Sequence, residues 1–395
     1  MAQDKDQKTL NVPPLRFPGF TDEWKRIKVS DLLDFYSTNS LSWEMLNYED
    51  GDLHNLHYGL IHSGLPTLID LKRDTLPFVN DTAKPKNYTL CKEGDIAFAD
   101  ASEDTNDVAK AIEFINLEGQ QVISGLHTIH GRDNGNKTVV GFKGYAFASS
   151  SFHNQIRRIA QGTKIYSISS KSFDEVFISI PNKTEQTKIA RLLHLIDERI
   201  TTQNKIIDNL QSLIKGVRDL FIRKTILDSK WVKLGDICHI TTGKLDANAM
   251  DENGQYPFFT CAEKPFCINN YAFDTEALLI SGNGANLGYI NYYNGKFNAY
   301  QRTYVLDKFT EDIQFIKIAL QMLLPKRIAI EKSTSNTPYI VQSTLSDMKI
   351  FIPSKDLQRR TTNLMLRLEE DMCVQTSLLA SYNRMKSYLL QQMFI

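Results

Sequence analysis

The sequence predicts an α/β (α+β) chain built twice over: two mixed domains joined by two long antiparallel coiled-coil helices, with a pseudo-twofold internal repeat. Three observations lead there. A tryptophan-to-aspartate opening occurs twice, Trp24 to Asp31 and Trp231 to Asp236. An alternating apolar strand ending in proline occurs twice, Phe173 to Pro181 and Leu345 to Pro353. After each proline, apolar residues fall at intervals of four and three, the spacing of a coiled-coil seam.

Residues 1–11 are polar and mixed in charge, a flexible N-terminus without the apolar centre of a signal peptide, which predicts a cytoplasmic protein. Residues 12–181 form the first domain, with short apolar runs broken by Gly, Asn, Asp and Pro, the punctuation of strands, turns and short helices. Residues 182–224 form the first spacer helix. Asn182 and Glu185 make a capping box. The seam then reads Ile189, Leu193, Ile196, Ile200, Gln203, Ile207, Leu210, Ile214, Val217, Phe221. At about 1.5 Å per residue this helix spans roughly 65 Å.

Residues 225–353 form the second domain, framed as the first one is. The offset is 172 at the prolines and 207 at the tryptophans, so the first domain carries about 35 more residues. The frame is duplicated and the interior has diverged. Residues 354–395 form the second spacer helix. Its seam is Met365, Leu368, Met372, Gln375, Leu379, Tyr382, Leu389 and Met393, with Thr361 and Lys386 as polar departures. Gln375 lies 172 residues after Gln203, and a polar residue inside such a seam either sets register or turns sideways to water. Packed antiparallel, each helix buries the stripe of the other.

Composition removes several classes. The 395 residues hold 46 Lys+Arg against 46 Asp+Glu, with 42% apolar and 23% charged. Those are the proportions of a folded soluble protein, and the length suits two or three domains. No apolar run reaches the roughly 18 residues of a membrane helix, so no membrane partner is expected. Cys91, Cys238, Cys261, Cys267 and Cys373 are odd in number and never spaced CxxC, which predicts reduced, mostly packed thiols. His54, His57, His62, His127 and His130 lack companion ligands at metal spacing, and no metal site is expected. A phosphate loop, a His-Glu-x-x-His and a Gly-x-Ser-x-Gly elbow are absent from the sequence.

The run Pro14-Leu15-Arg16-Phe17-Pro18-Gly19-Phe20-Thr21-Asp22-Glu23-Trp24 resembles the start of specificity (S) subunits of type I restriction–modification enzymes. The repeated order of variable domain, proline-ended strand and long helix resembles that family too. The resemblance implies that residues 12–181 and 225–353 are target-recognition domains. Each would read one half of a bipartite, asymmetric target in double-stranded DNA. The helices would set the spacing and dock two methyltransferase subunits, with two restriction (motor) subunits in the full complex. The chain itself would be non-catalytic and carry no cofactor, the methyl donor, ATP and Mg sitting on the partner subunits.

Base and phosphate contacts call for basic, amide and hydroxyl side chains in loops. In the first domain the candidates are Lys84, Lys86, Asn87, Arg132, Lys137, Thr163 and Lys164. In the second they are Lys264, Asn283, Asn286, Arg302, Lys326, Arg327, Lys332, Ser335 and Asn336. Lys164 and Asn336 coincide at the 172 offset. The zero net charge then describes a subunit that binds DNA weakly alone and specifically within an assembly.

Two other readings compete. Asn336-Thr337-Pro338-Tyr339 is one residue from the Asn-Pro-Pro-Tyr signature of adenine methyltransferases, with Gly282 to Gly288 as a donor loop. Against a self-sufficient methyltransferase stand the missing second proline and the lack of a strand–loop–helix frame. A coiled-coil scaffold that only ties subunits together is the third reading.

Overall fold

The duplicated sequence segments meet each other as strand pairs. In the first domain, Lys25–Lys28 runs antiparallel to Phe177–Ile180, with Lys25 opposite Ile180 and Ile27 opposite Ile178. In the second, Lys230–Lys233 runs antiparallel to Lys349–Ile352, with Lys230 opposite Ile352 and Val232 opposite Ile350. The opening and closing motifs are thus two edges of one frame. This computed structural model describes residues 10–226, 229–332 and 339–395.

The registers correct the tryptophan alignment. Lys25 and Lys230 are equivalent, an offset of 205, so Trp231 stands where the first domain has Arg26. With 205 at one end and 172 at the other, the first domain carries 33 more residues, not 35. The two indoles have different surroundings. Trp24, just before its strand, is buried edge-on between Phe142 and Phe394, with centroids 6.5 and 6.4 Å away. Trp231 lies on the outer side of its strand, 47% exposed, and meets Phe351.

Each opening strand runs directly into one helical turn, Val29–Leu32 or Leu234–Ile237, whose apolar ends are buried. A larger sheet follows. In the first domain its strands, in chain order, are Asp34–Tyr36, Leu68–Asp70, Ile96–Ala99, Ala111–Asn116 and Thr128–Arg132. In the second they are His239–Thr242, Tyr256–Phe259, Phe273–Ser281, Ile290–Ala299 and Thr303–Asp307. Both sheets are ordered first, fifth, third, fourth, second, and the second domain adds Phe266–Ile268 beyond the last of these. Directions agree as well: only the fourth–second pair is parallel. The interior has diverged in sequence but not in topology.

The surplus of the first domain is mainly a second sheet, ordered Gln121–Ser124, Leu53–Leu56, Phe78–Val79, Leu46–Asn47. It has its own small core of Leu41, Leu53, Val79 and Ile123. The main core of this domain is aromatic: Phe98 packs on Phe147 and Phe173 at 4.9 and 4.7 Å. Burial of such rings supplies much of the driving force, at about 25 cal/mol per Å² of apolar surface. The second domain covers its sheet with the helix Ile313–Lys332, which contributes Phe315, Ile316, Leu320 and Leu324 to the core.

The two long helices are Lys183–Ile226 and Lys355–Gln392. The chain divides into two compact units, Met1–Lys205 with Ser377–Ile395, and Ile206–Thr376. In the first unit, Ile189 and Leu193 share a core with Met393 and Phe394, and Leu389 packs against it. Further along, Asp197 pairs with Lys386 at 2.6 Å. Advancing on one helix means retreating on the other, so the segments run antiparallel. Lys386, a polar departure in the predicted seam, is there for Asp197, which also accepts a hydrogen bond from the Tyr145 hydroxyl at 2.8 Å.

The rest of the seam grades outward. Ile196, Gln203, Ile207, Leu210 and Met365 are buried, while Ile200, Ile214, Val217, Phe221, Leu368, Met372, Leu379 and Tyr382 are half-buried. Gln375 is half-buried and donates to Asp371, one turn back on its own helix. The predicted capping box is half-formed. Asn182 Oδ1 accepts from the Glu185 N–H at 3.0 Å, but the Glu185 carboxylate is taken by the guanidinium of Arg16, at 2.6 and 2.8 Å. A fork that satisfies both oxygens of a fully buried carboxylate outcompetes one backbone N–H.

Candidate nucleic-acid interface

The repeat extends to the hydrogen bonds that shape one end of each sheet. In the first domain, the loop after the third strand begins at Asp100. Its N–H donates to the His127 carbonyl at 3.1 Å, and its carbonyl accepts from Ile168 N–H at 2.9 Å. In the second, Gly282 N–H donates to the Arg302 carbonyl at 2.8 Å, and its carbonyl accepts from Ile340 N–H at 2.9 Å. Thr128 opposite Ala99 matches Thr303 opposite Ser281. Asp100 therefore corresponds to Gly282, His127 to Arg302 and Ile168 to Ile340, the last at the 172 offset. Three loops converge at this end of each domain, with one backbone plan and different side chains.

In the second domain the convergence gathers several predicted residues. Asn283 and Asn286 lie on the loop, and Asn286 donates to the Cys261 carbonyl at 3.1 Å. Arg302 is exposed beside them. Gly288, at φ +83°, lets the last turns of the helix approach: a Cβ there would meet Ile328 Cδ1 at 2.6 Å. Lys326 and Arg327 sit on those turns, the first exposed and the second half-buried. Lys264 is exposed on the segment after Cys261. Ser335 and Asn336 lie outside the described residues, and so does the side chain of Lys332.

In the first domain the same end carries Thr163 and Lys164, both exposed. Gly162, at φ +139°, makes their turn possible, since a Cβ would fall 1.8 Å from the Ile165 carbonyl oxygen. Beside them a cavity of about 430 Å³ is lined by Tyr58, His62, Glu103, Asp107, His127 and Ile165. His127 holds Asp100 through Nδ1 at 3.2 Å and lies edge-on to Tyr58 at 5.2 Å. Burial pushes the Asp100 carboxyl up against the opposing pull of His127. His57 is pushed down, by burial first and by His127 second.

The remaining candidates of this domain lie elsewhere. Lys84, Lys86 and Asn87 are exposed on the extra sheet, Lys84 pairing with Asp52 and Asp81 at 3.2 and 3.0 Å. Arg132 and Lys137 belong to the opposite end of the sheet from His127, near the long helix. Lys137 donates to the Asp31 carbonyl, and its own carbonyl accepts from Gln186. Arg132 requires a correction. Its guanidinium grips Asp95 at 2.8 and 2.7 Å, donates to Leu90 and stacks on Tyr36, so its donors are used inside the domain.

Asp95 also accepts from Lys92 N–H and contacts His130 Nε2 at 2.7 Å, with Cys91 close by. Burial alone would raise this carboxyl, but Arg132 and His130 hold it below its ordinary value. The Cys91–Asp95–His130 group has its charge already neutralised by Arg132. Burial pushes the Cys91 thiol up, and that of Cys238 up to about 12. The expectation of mostly packed thiols holds for these two only, since Cys261 is half-buried while Cys267 and Cys373 are exposed. Exposure there follows from an edge strand and an outer helix face.

Sequence reasoning missed a duplicated anchor. Gln186 and Gln358, 172 residues apart, are both buried at the start of a long helix. Gln186 donates to the Pro181 carbonyl at 2.9 Å and accepts from Val139 N–H at 2.8 Å. Gln358 donates to the Pro353 carbonyl at 3.0 Å and accepts from Asp312 N–H at 3.2 Å. The shared offset was the signal that would have found them.

One family model, that of the type I restriction modification DNA specificity domain, matches residues 21–212 and again 227–372. The chain belongs to that family. Among relatives of this specificity subunit, the type I restriction enzyme EcoDI specificity subunit of Escherichia coli is 45% identical over 135 residues. That match takes in 34% of this chain and 30% of the relative, so it spans less than a third of that protein's length. The fold is similar to the crystal structure of the S subunit of the type I restriction-modification system from Mycoplasma genitalium. The TM-score is 0.63 at 18% identity, over 97% of this chain and 99% of that one. A structure described as the basis of complex assembly and conformational transition of the type I system aligns at TM-score 0.52 and 15% identity, over 93% and 96%. Among the described residues, no helix of the subunit is long and apolar enough to cross a membrane.

Proposed function

We propose that this specificity subunit reads a bipartite, asymmetric sequence in double-stranded DNA, one half through each domain. The observation that carries the reading is the pair of matching sheet ends: one backbone plan presents Asp100, His127 and Lys164 in one domain and Gly282, Asn283 and Arg302 in the other. A symmetric homodimer demands a palindrome, whereas two unlike readers in one chain demand two unlike half-sites. The exposed basic residues and half-buried asparagines of these loops are the contacts we assign to bases and phosphates.

The long helices are the spacer and the docking surface for two methyltransferase subunits, with two restriction subunits completing the assembly. Apolar residues outside the seam support this. Ile206, Leu213 and Leu220 recur every seven residues on the first helix, 42 to 55% exposed. Leu378 and Met385 do the same on the second helix. Exposed apolar residues at heptad spacing suit helical partners. We place the methyl donor, ATP and Mg on those partners and the complex in the cytoplasm.

The fold argues against a self-sufficient methyltransferase. The glycine-rich run Gly282 to Gly288 joins two antiparallel strands, whereas a donor-binding loop of the strand–loop–helix type opens a helix. Co-expression with a methyltransferase subunit, followed by genome-wide mapping of methylated bases, tests the proposal. A two-part asymmetric motif is expected; a palindrome, or methylation by the subunit alone, would overturn it.

A further inference from the structure

The equivalence of His127 and Arg302 has a chemical consequence. Both residues are exposed at the tip between the fourth and fifth strands, and both carbonyls are pinned by the first residue of the neighbouring loop. The two residues therefore occupy equivalent positions, with His127 but not Arg302 in a left-handed backbone conformation. Arg302 presents only donors, and a guanidinium fork matches O6 and N7 of guanine. His127 is held the other way round. Its Nδ1 faces the Asp100 carboxylate at 3.2 Å, which places the proton on Nδ1 in the neutral ring. Nε2 is then an acceptor, aimed away from Asp100 and with 52% of the side chain exposed. Glu103 and Asp107 line the same cavity as His127, adding further acceptors rather than donors.

His127 has φ +54°, a left-handed conformation that histidine adopts more readily than most residues and that Ala109, Glu118, Asn136 and Lys308 share in this chain.

We infer that His127 is the base-reading residue of the first domain, accepting a hydrogen bond from an exocyclic amino group, and that Arg302 is its guanine-reading counterpart in the second. The amino group is N4 of cytosine or N6 of adenine, the two that the major groove displays. This assignment rests on the domains being DNA readers, and it adds which residue reads and through which group of the base.

The test uses the full chain in complex with its methyltransferase subunit. Binding is measured to the mapped target and to single-base variants of each half-site. For the wild type, replacing one adenine of the first half-site by purine, or one cytosine by pyrimidin-2-one, which removes only the exocyclic amino group, weakens binding about 10-fold or more. In His127→Gly that penalty disappears while all penalties in the second half-site persist. Arg302→Ala does the reverse at one guanine of the second half-site. Glycine suits the left-handed backbone, so the variant keeps its melting temperature, and His127→Asn, another acceptor that tolerates this conformation, restores part of the discrimination. Unchanged penalties in His127→Gly, or a wild type whose binding no amino-group deletion in the first half-site weakens, would overturn the inference while leaving the two-reader proposal intact. A wild type with no bipartite motif would refute that proposal first and this inference with it.

Discussion

Replacing Gln186 by alanine removes three hydrogen bonds from a side chain that is 1% exposed: to the Pro181 carbonyl, to the Lys137 carbonyl and from the Val139 N–H. Lys137 is exposed and its carbonyl can turn to water. The Pro181 carbonyl and the Val139 N–H lose the amide that satisfies them. An orphaned buried polar group costs about 1–3 kcal/mol, so two of them predict a loss of about 2–6 kcal/mol, with a small cavity adding to it. For a domain of this size that is a fall of about 4–24 °C in melting temperature. Gln358→Ala predicts a smaller loss in the second domain, since the Pro353 carbonyl is orphaned but Asp312 is exposed and its N–H can turn to water. Differential scanning calorimetry gives the stability, and hydrogen exchange assigns it to a domain. Exchange should accelerate around Val139 in the first variant and around Asp312 in the second. A change below about 0.5 kcal/mol in both, or accelerated exchange in the untouched domain, would refute the anchor.

Further outcomes follow from the same contacts. Arg16→Ala strands the fully buried Glu185 carboxylate and should cost about 3–5 kcal/mol, part of which Glu185→Gln in the same chain restores, measured by urea unfolding. Asp95 is held below its ordinary carboxylate value, so the stability it supplies is present above about pH 4 and is lost as pH falls through its lower folded value. Asp95→Asn should therefore be less stable than wild type by about 2–4 kcal/mol at pH 7, with the gap closing below pH 4 in acid titrations of unfolding. Deleting one heptad from each long helix shortens it by about 10 Å, or about three base pairs. Methylated-base mapping should show a narrower gap between unchanged half-sites, and an unaltered gap would count against the helices as the spacer.

The frame of this fold was legible because its signals are local. Proline-ended alternation marks a strand by itself, and a seam of four-and-three spacing marks a helix by itself. The opening motif was legible as a motif but not in register. Trp24 and Trp231 invite superposition, yet strand pairing sets the offset at 205, because pairing is decided by which residues face each other across the sheet. The extra sheet was illegible for the same reason. Gln121–Ser124 joins Leu53–Leu56 from almost seventy residues away, and neither four-residue strand carries a mark of its partner. Arg132 shows the limit for sites. In sequence it is one more basic residue near a loop, and only the fold reveals Asp95 waiting across the sheet.

The matching ends of the two sheets explain why the reading residues are the hardest to read. The bonds that define the plan, Asp100 to His127 and Gly282 to Arg302, use backbone atoms, which every residue but proline can supply in full. A duplicated domain can therefore keep its geometry while every side chain at the tip changes. A specificity module needs that separation, since a new target then requires new side chains and no new fold. The neutral charge has a related cause. Arg16, Arg132, Lys143 and Lys386 are committed to carboxylates within the chain, so part of the cation count faces no partner. On the proposed reading, the residues that face the duplex differ between the two domains, and most of the non-specific grip on phosphate falls to bound partners.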